Sequence, residues 1–171
     1  MTDDHHAAEP MKTAAQTPMP INIRALQVRD RKPWEALYRQ YADFYQSTMT
    51  DAILDRCWSW LMNPNHAVEG LVAEGENQQL LGLAHFRACP DPLIAADFGF
   101  LDDLFVQPDA RGLGIGRRLI SGVAALGQER KWPVLRWITA DSNAQARQLY
   151  DKLAQATHWI SYDLDLQRMR G

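Results

Sequence analysis

Between residues 111 and 118 the chain reads Arg111-Gly112-Leu113-Gly114-Ile115-Gly116-Arg117-Arg118, three glycines bracketed by guanidinium groups. Glycine-rich turns ahead of a helix serve a few chemistries, and residue spacing separates them. A dinucleotide fingerprint needs Gly-x-Gly-x-x-Gly and an acid about 20 residues later for the ribose hydroxyls. Here the glycines fall at 112, 114 and 116, and Lys131 to Arg136 contains no acid. A triphosphate-binding loop needs Gly-Lys followed by Ser or Thr, whereas Gly116 is followed by Arg117. What remains is an uncovered helix N-terminus, whose free amide N–H groups and positive dipole end attract an anion. Arg111, Arg117 and Arg118 add charge suited to a diphosphate. The competing reading is a tight turn whose glycines only let helix and sheet approach closely. Upstream stands an acidic pair, Asp102-Asp103, inside an apolar run. Consecutive strand residues point to opposite faces, so both carboxylates line one face only if the strand bulges.

These groups need elements to hold them. Ile21 to Arg24 alternates as a first strand, and Trp34, Leu37, Tyr38, Tyr41, Phe44 and Tyr45 recur with helical spacing. Thr50 suits the N-cap of a second helix carrying Ile53, Leu54, Cys57, Trp58 and Leu61, which Asn63-Pro64 ends. Leu71 to Glu74 and Leu80 to Phe86 read as a hairpin around Gly75-Glu76-Asn77. Pro90-Asp91-Pro92 interrupts, and Phe98 to Val106 resumes as a strand that Pro108 stops. The glycine turn opens a helix with Ile115, Leu119, Ile120 and Val123 on one side, ending near Arg130. A strand follows at 134–139. Ser142 and Gln145 then stand at capping-box spacing before a helix with Ala146, Leu149, Tyr150 and Leu153 inward, and Trp159 to Leu166 alternates as a last strand. This order predicts an α/β fold whose mixed central sheet is covered on both faces.

With 171 residues, 46% of them hydrophobic, the chain suits one core: a leader at 1–19, disordered and broken by Pro10 and Pro18, and a single domain at 20–171. Cys57 and Cys89 form no metal or disulfide pattern, so no metal is expected. A formal charge of −3 gives no general attraction for nucleic acid or anionic lipid, and no run reaches the roughly 18 apolar residues of a membrane span. The start Met1-Thr2-Asp3-Asp4-His5-His6 is acidic where a secretory signal is basic, which predicts a cytoplasmic protein with neither nucleic acid nor membrane as partner.

Val106-Gln107-Pro108-Asp109-Ala110-Arg111-Gly112-Leu113-Gly114-Ile115-Gly116, followed by Leu119-Ile120, strongly resembles the acetyl-CoA motif of the GNAT superfamily of N-acetyltransferases. The pattern is Arg or Gln, two residues, Gly, one residue, then Gly or Ala, and here it falls on Arg111, Gly114 and Gly116. In element order the resemblance runs from about Ile21 to Leu166. Phe100-Leu101-Asp102-Asp103-Leu104-Phe105-Val106 further resembles the matching strand of diamine (spermidine/spermine) acetyltransferases and of the yeast histone and polyamine acetyltransferase group.

The resemblance implies a sheet of about six to seven strands, acetyl-CoA as cofactor, and acetyl transfer to a primary amine by direct attack in a ternary complex. The acceptor it implies is a small polyamine-like or lysine-like amine; a lysine of a histone-like protein, or no turnover in a regulatory acyl-CoA binder, are the alternatives. Arg111, Gly112, Leu113, Gly114, Ile115, Gly116 and Arg117 would hold the pyrophosphate, and the backbone of Leu104, Phe105 and Val106 the pantetheine amides. Tyr150 matches the tyrosine whose hydroxyl meets the cofactor sulfur, its other reading being core packing beside Leu149 and Leu153. Asn143 matches a cofactor-facing asparagine, and a helix cap would look the same. Asp102 matches a glutamate thought to act through water; being one methylene shorter, it suits a water relay or attraction of a cationic acceptor. The first two helices form a wall of the acceptor groove in the resembling fold, which nominates Tyr38 and Tyr41 beside Asp102 as acceptor contacts. The resemblance also implies a homodimer, joined along the sheet or by exchange of the strand at 159–166.

Overall fold

The computed structural model describes residues 20–168, so the leader expected at 1–19 lies outside the described residues. The chain runs β1 (Asn22–Ala25), α1 (Arg31–Phe44), α2 (Asp51–Leu61), β2 (Val68–Glu74), β3 (Leu80–Asp91), β4 (Ala96–Val106), α3 (Ile115–Glu129), β5 (Leu135–Arg136) and α4 (Ala144–Tyr150). The strands form one sheet in the order β1-β2-β3-β4-β5, antiparallel except for the parallel pair β4 and β5. No helix among the described residues is long and apolar enough to cross a membrane.

Both faces of the sheet are covered, as the element order predicts. Alternation along the strands sorts side chains into two cores. Leu83 and Phe105 pack with Trp34 and Leu37 of α1 and with Leu54 and Cys57 of α2. Ala84, Phe86 and Leu101 pack with Ile115, Leu119, Ile120 and Val123 of α3. The hydroxyl of Thr50 caps α2 by accepting from the Ile53 amide, the predicted start.

Three sequence expectations need correction. Among the described residues the sheet has five strands, not six to seven, because 159–166 carries no regular structure and its large side chains stand in solvent: Trp159 is 85% exposed. An alternating segment becomes a strand only beside a free edge, and β5 offers two paired residues instead of the six expected at 134–139. Nor does Pro90-Asp91-Pro92 break the sheet. β3 runs through Pro90 to Asp91 and returns as β4 from Ala96. The pairing of β2 with β3 ends at Val68 and Arg87, so Pro90 sits on a free edge where its missing N–H costs no ladder bond. Third, Asn143, not Ser142, caps α4: its side chain accepts from the Ala146 amide at 3.4 Å.

Arg24 ties β1 to the rest. Its guanidinium donates to both oxygens of Asp30, at 2.7 and 2.9 Å, and to Glu74 on β2 at 2.6 Å. Burial by itself would raise the Asp30 carboxyl; the bonds from Arg24 and from the Gln27 amide outweigh it and bring it below the ordinary carboxylate range. A carboxyl depressed in this way stabilises the fold above its unfolded value, about pH 4, and that contribution is lost as pH falls through the folded value. Asp30→Asn should therefore lower stability at neutral pH and weaken the dependence below about pH 4. Urea unfolding across a pH series measures both.

Candidate active site

The site begins where two strands part. β5 pairs with β4 only at Gly99–Leu135 and Phe100–Arg136, so among the described residues β4 from Leu101 to Val106 has no strand on its outer edge. A cleft of about 440 Å³ opens there, bounded by the end of β4, the start of α3, α4, and the C-terminal part of α1. Of the residues expected to bind cofactor, Leu104, Phe105, Val106, Arg111, Gly112, Gly114, Ile115, Gly116, Arg117, Asn143 and Tyr150 all line it, as does Tyr41. Leu113 does not; it is half exposed outside the cleft.

At one end lies the glycine turn. Gly112 and Gly114 have φ of +81° and +75°, the left-handed region that an L side chain adopts only under strain. Gly114 is the N-cap of α3; no side chain caps this end and no acid occupies its first turn. The first amides of α3 thus have no intrahelical acceptor and face the cleft. Arg117 lines the same end, while Arg111 is anchored by donating from Nε to the Val106 carbonyl at 3.3 Å. Arg118 turns away, bonded to the Ile21 carbonyl at 3.2 Å, so the flanking positive charge comes from two arginines and not three.

Tyr150, the last residue of α4, stacks edge-on against Trp137 with ring centroids 5.3 Å apart. Burial, and then the neighbouring Tyr45, push its phenol above the ordinary value, so it keeps its proton at neutral pH. Opposite stands a row of phenols one helical turn apart on α1: Tyr38 stacks on Tyr41 at 5.8 Å, and Tyr41 meets Tyr45 edge-on at 5.0 Å. Asn143 donates from Nδ2 to Thr139 at 3.2 Å while capping α4, so the cap reading and the cleft-facing reading hold together.

The acidic pair lies beside the inner end of this row, on a bulge. His85 pairs with Asp103 and Phe86 with Leu101, leaving Asp102 as the extra residue. Both carboxylates consequently reach the same row of β3 side chains. Asp103 Oδ2 bonds to His85 Nδ1 at 2.8 Å, and Asp102 takes Arg87 Nε at 3.0 and 3.1 Å. His85 and Arg87 are two apart on one strand and so share a face. Neither carboxylate lines the cleft, and the predicted grouping of Tyr38 with Asp102 gives way to Tyr38 with Asp103: the Tyr38 hydroxyl donates to Asp103 Oδ2 at 3.0 Å. Asp102 is already matched by a guanidinium.

The family model for the acetyltransferase (GNAT) family matches residues 34–154. The chain belongs to that family. Among curated relatives, the yeast Saccharomyces cerevisiae D-amino-acid N-acetyltransferase HPA3 is 27% identical over 143 residues, 83% of this chain and 89% of that protein. Thialysine N-epsilon-acetyltransferase of Bos taurus is 32% identical over 76 residues, 42% of this chain and 45% of its own length. The crystal structure of a ribosomal-protein-alanine N-acetyltransferase from Brucella melitensis biovar Abortus 2308 superposes with a TM-score of 0.72 at 27% identity, covering 86% of this chain and 99% of that one.

The donor of this family is acetyl-CoA, and the acetyltransferase's cleft has the donor set such a group needs: uncapped amides with two arginines at one end, and an unpaired strand edge leading inward. Several lining residues carry no motif. Gln145, Gln148, Leu149 and Lys152 line the cleft from α4 and the turn after it, and their three- to four-residue spacing is the only signal that could have grouped them. Phe44 and Tyr45 belonged to the predicted helix, but which of its faces meets the cleft depends on how α1 sits on the sheet. His85 gave no signal, because its partners Trp34 and Asp103 lie 51 and 18 residues away.

A Cβ at Gly114 would meet nothing within 4 Å, so any cost of adding one is conformational. Gly114→Ala should destabilise the protein by about 1 kcal/mol and lower acetyl-CoA affinity by reorienting the first amides of α3. Thermal unfolding and calorimetric titration read the two effects.

Proposed function

We propose that this acetyltransferase acetylates a primary amine on a small polyamine-like or lysine-like acceptor, by direct attack within a ternary complex. The observation that carries the reading is the cleft itself: one continuous wall runs from the uncapped start of α3, along the unpaired edge of β4, to the Tyr150 phenol. When bound, acetyl-CoA supplies an activated acetyl thioester.

In this reading, Arg111, Arg117 and the amides of Gly112, Gly114, Ile115 and Gly116 would hold the pyrophosphate. The backbone of Leu104 to Val106 bonds the pantetheine amides, and one of its N–H groups polarises the carbonyl that is attacked. Asn143 holds the arm from the α4 side. Tyr150 Oη keeps its proton until the sulfur needs it, which its upward-shifted phenol supports. An alkyl ammonium is almost wholly protonated at neutral pH, so attack needs an acceptor for its proton. Tyr41 lines the cleft and stacks on Tyr38, which donates to Asp103; the charge of Asp103 and the faces of these phenols favour a cationic acceptor over an anionic one. A cytoplasmic location, as expected from the sequence, is part of this reading.

Segment 159–166 keeps an apolar alternation that nothing among the described residues covers, which supports a homodimer completed by exchange of this segment. Light scattering at micromolar concentration should give twice the monomer mass, and removal of residues 157–171 should return the monomer.

Tyr150→Phe should lower kcat about 100-fold with acetyl-CoA affinity unchanged; an unaltered kcat removes the tyrosine from proton donation. Activity itself is tested by screening acetyl-CoA with polyamines, lysine analogues including thialysine, D-amino acids and a histone-tail peptide. Turnover with none of these would defeat the reading, and turnover with the peptide alone would move it to protein acetylation.

A further inference from the structure

Behind the row of phenols lies a buried polar chain that the transfer reaction, as described above, does not use. Trp34 and His85 are essentially inaccessible, and the Asp103 side chain is 18% exposed. Trp34 Nε1 donates to His85 Nε2 at 2.9 Å. An indole nitrogen can only donate, so His85 Nε2 must be the bare nitrogen and Nδ1 must carry the hydrogen that reaches Asp103 at 2.8 Å. A proton on both ring nitrogens would set two N–H groups against each other at Trp34. The imidazole is therefore held in one orientation, with Nδ1 as the donor to Asp103.

The consequence falls on Asp103. Burial alone would raise its carboxyl, but His85 first, and then Tyr41 and Tyr38, outweigh that and hold it below the ordinary range. Tyr38 and Tyr41 are themselves pushed up, by burial first and then by the Asp103 charge, so they remain neutral donors. Asp103 thus takes its short bonds from His85 and Tyr38, and among the described residues no arginine or lysine pairs with it. Its neighbour Asp102 is the reverse case, paired along both oxygens with Arg87. A mostly buried carboxylate without a cationic partner is costly unless a cation arrives. Both short bonds to Asp103 fall on Oδ2.

We propose that His85, locked by Trp34, is a positioning residue that presents Asp103 as an uncompensated anion to the ammonium group of the acceptor. The proposal rests on the reading of this site as an amine acetyltransferase and adds which carboxylate meets the amine and what orients it. Asp103, not the arginine-matched Asp102, takes the cation, and the stacked faces of Tyr38 and Tyr41 guide it inward. Loss of the His85 bond leaves Asp103 free to rotate and to take up a proton, so the ammonium loses its partner while the glycine-turn end of the cleft is untouched.

The test uses the full-length enzyme with spermidine and thialysine as probe amines. His85→Phe and Asp103→Asn should each raise the KM for the amine about 10- to 100-fold, with the KM for acetyl-CoA unchanged. His85→Asn, whose amide nitrogen can occupy the Nδ1 position, should recover most of the loss. Acetyl-CoA affinity equal to that of the parent certifies that each variant is folded. Nitrogen-15 NMR of the unmodified enzyme should show His85 as the Nδ1–H tautomer, and Trp34→Phe should shift that signature and raise the amine KM. An Nε2–H tautomer in the unmodified enzyme, an amine KM unmoved by Asp103→Asn, or equal impairment in His85→Phe and His85→Asn would each overturn the proposal. Failure of the unmodified enzyme to acetylate any amine is a separate result, seen before a variant is made, and it sinks the amine reading itself.

Discussion

Two residues of parallel pairing, Gly99 with Leu135 and Phe100 with Arg136, fasten β5 to β4, and past them the sheet ends. The chemistry depends on that short ladder. A buried strand edge must have its amides and carbonyls bonded to something, so an edge released from its neighbour inside a cleft is a row of donors and acceptors for a ligand. The ladder is held at its base by Trp132, whose indole lies so close to Gly99 and Gly127 that a Cβ at Gly99 would fall 2.3 Å from a ring carbon. The indole thus spans β4 and α3 at the point where the strands still touch.

The opposite end of β4 is governed by a single extra residue. Without the bulge at Asp102, strand alternation would send one carboxylate into the apolar core under α3, where nothing could satisfy it. With it, both carboxylates turn toward α1, where Arg87, His85 and Tyr38 are available as partners. The strand therefore presents backbone to the cleft along one edge and charge to the side under α1. The sheet separates the anion-binding glycine turn, packed on the α3 side, from the anionic pair on the other. The proposed reaction, between an anionic carrier and a cationic amine, would draw on such opposite charges set on opposite sides of one strand.

Aromatic residues link these regions. Tyr38, Tyr41 and Tyr45 follow the helical repeat of α1, so their alignment is a local property; their neighbours are not. Tyr41 packs on Phe105 of β4, Tyr45 lies close enough to Tyr150 to raise it, and Trp34 reaches across the core to His85. Each contact joins α1 to a strand or helix far along the chain, and together they turn a row of phenols into a path between the cleft and the buried carboxylate.

The elements carrying local signals were legible in the sequence. The glycine turn, the amphipathic faces of α1, α2 and α3, the β2–β3 hairpin and the positions of Tyr150 and Asn143 depend on spacing within about a turn or a strand, which side-chain type and backbone stereochemistry decide on their own. The uncapped geometry of that turn was legible for the same reason, since uncapped amides and left-handed glycines are properties of eight consecutive residues. Tertiary structure alone decided the rest. Whether 134–139 and 159–166 become strands depends on an edge being free to pair with them, which alternation does not reveal. Which carboxylate meets Tyr38 depends on a bulge set by register against β3. That His85 is held by Trp34 rather than packed among apolar side chains depends on two helices and a sheet meeting at one point. Hydrogen bonds and pairing edges are relations between distant segments, and a linear reading of residue types has no term for the distance between them.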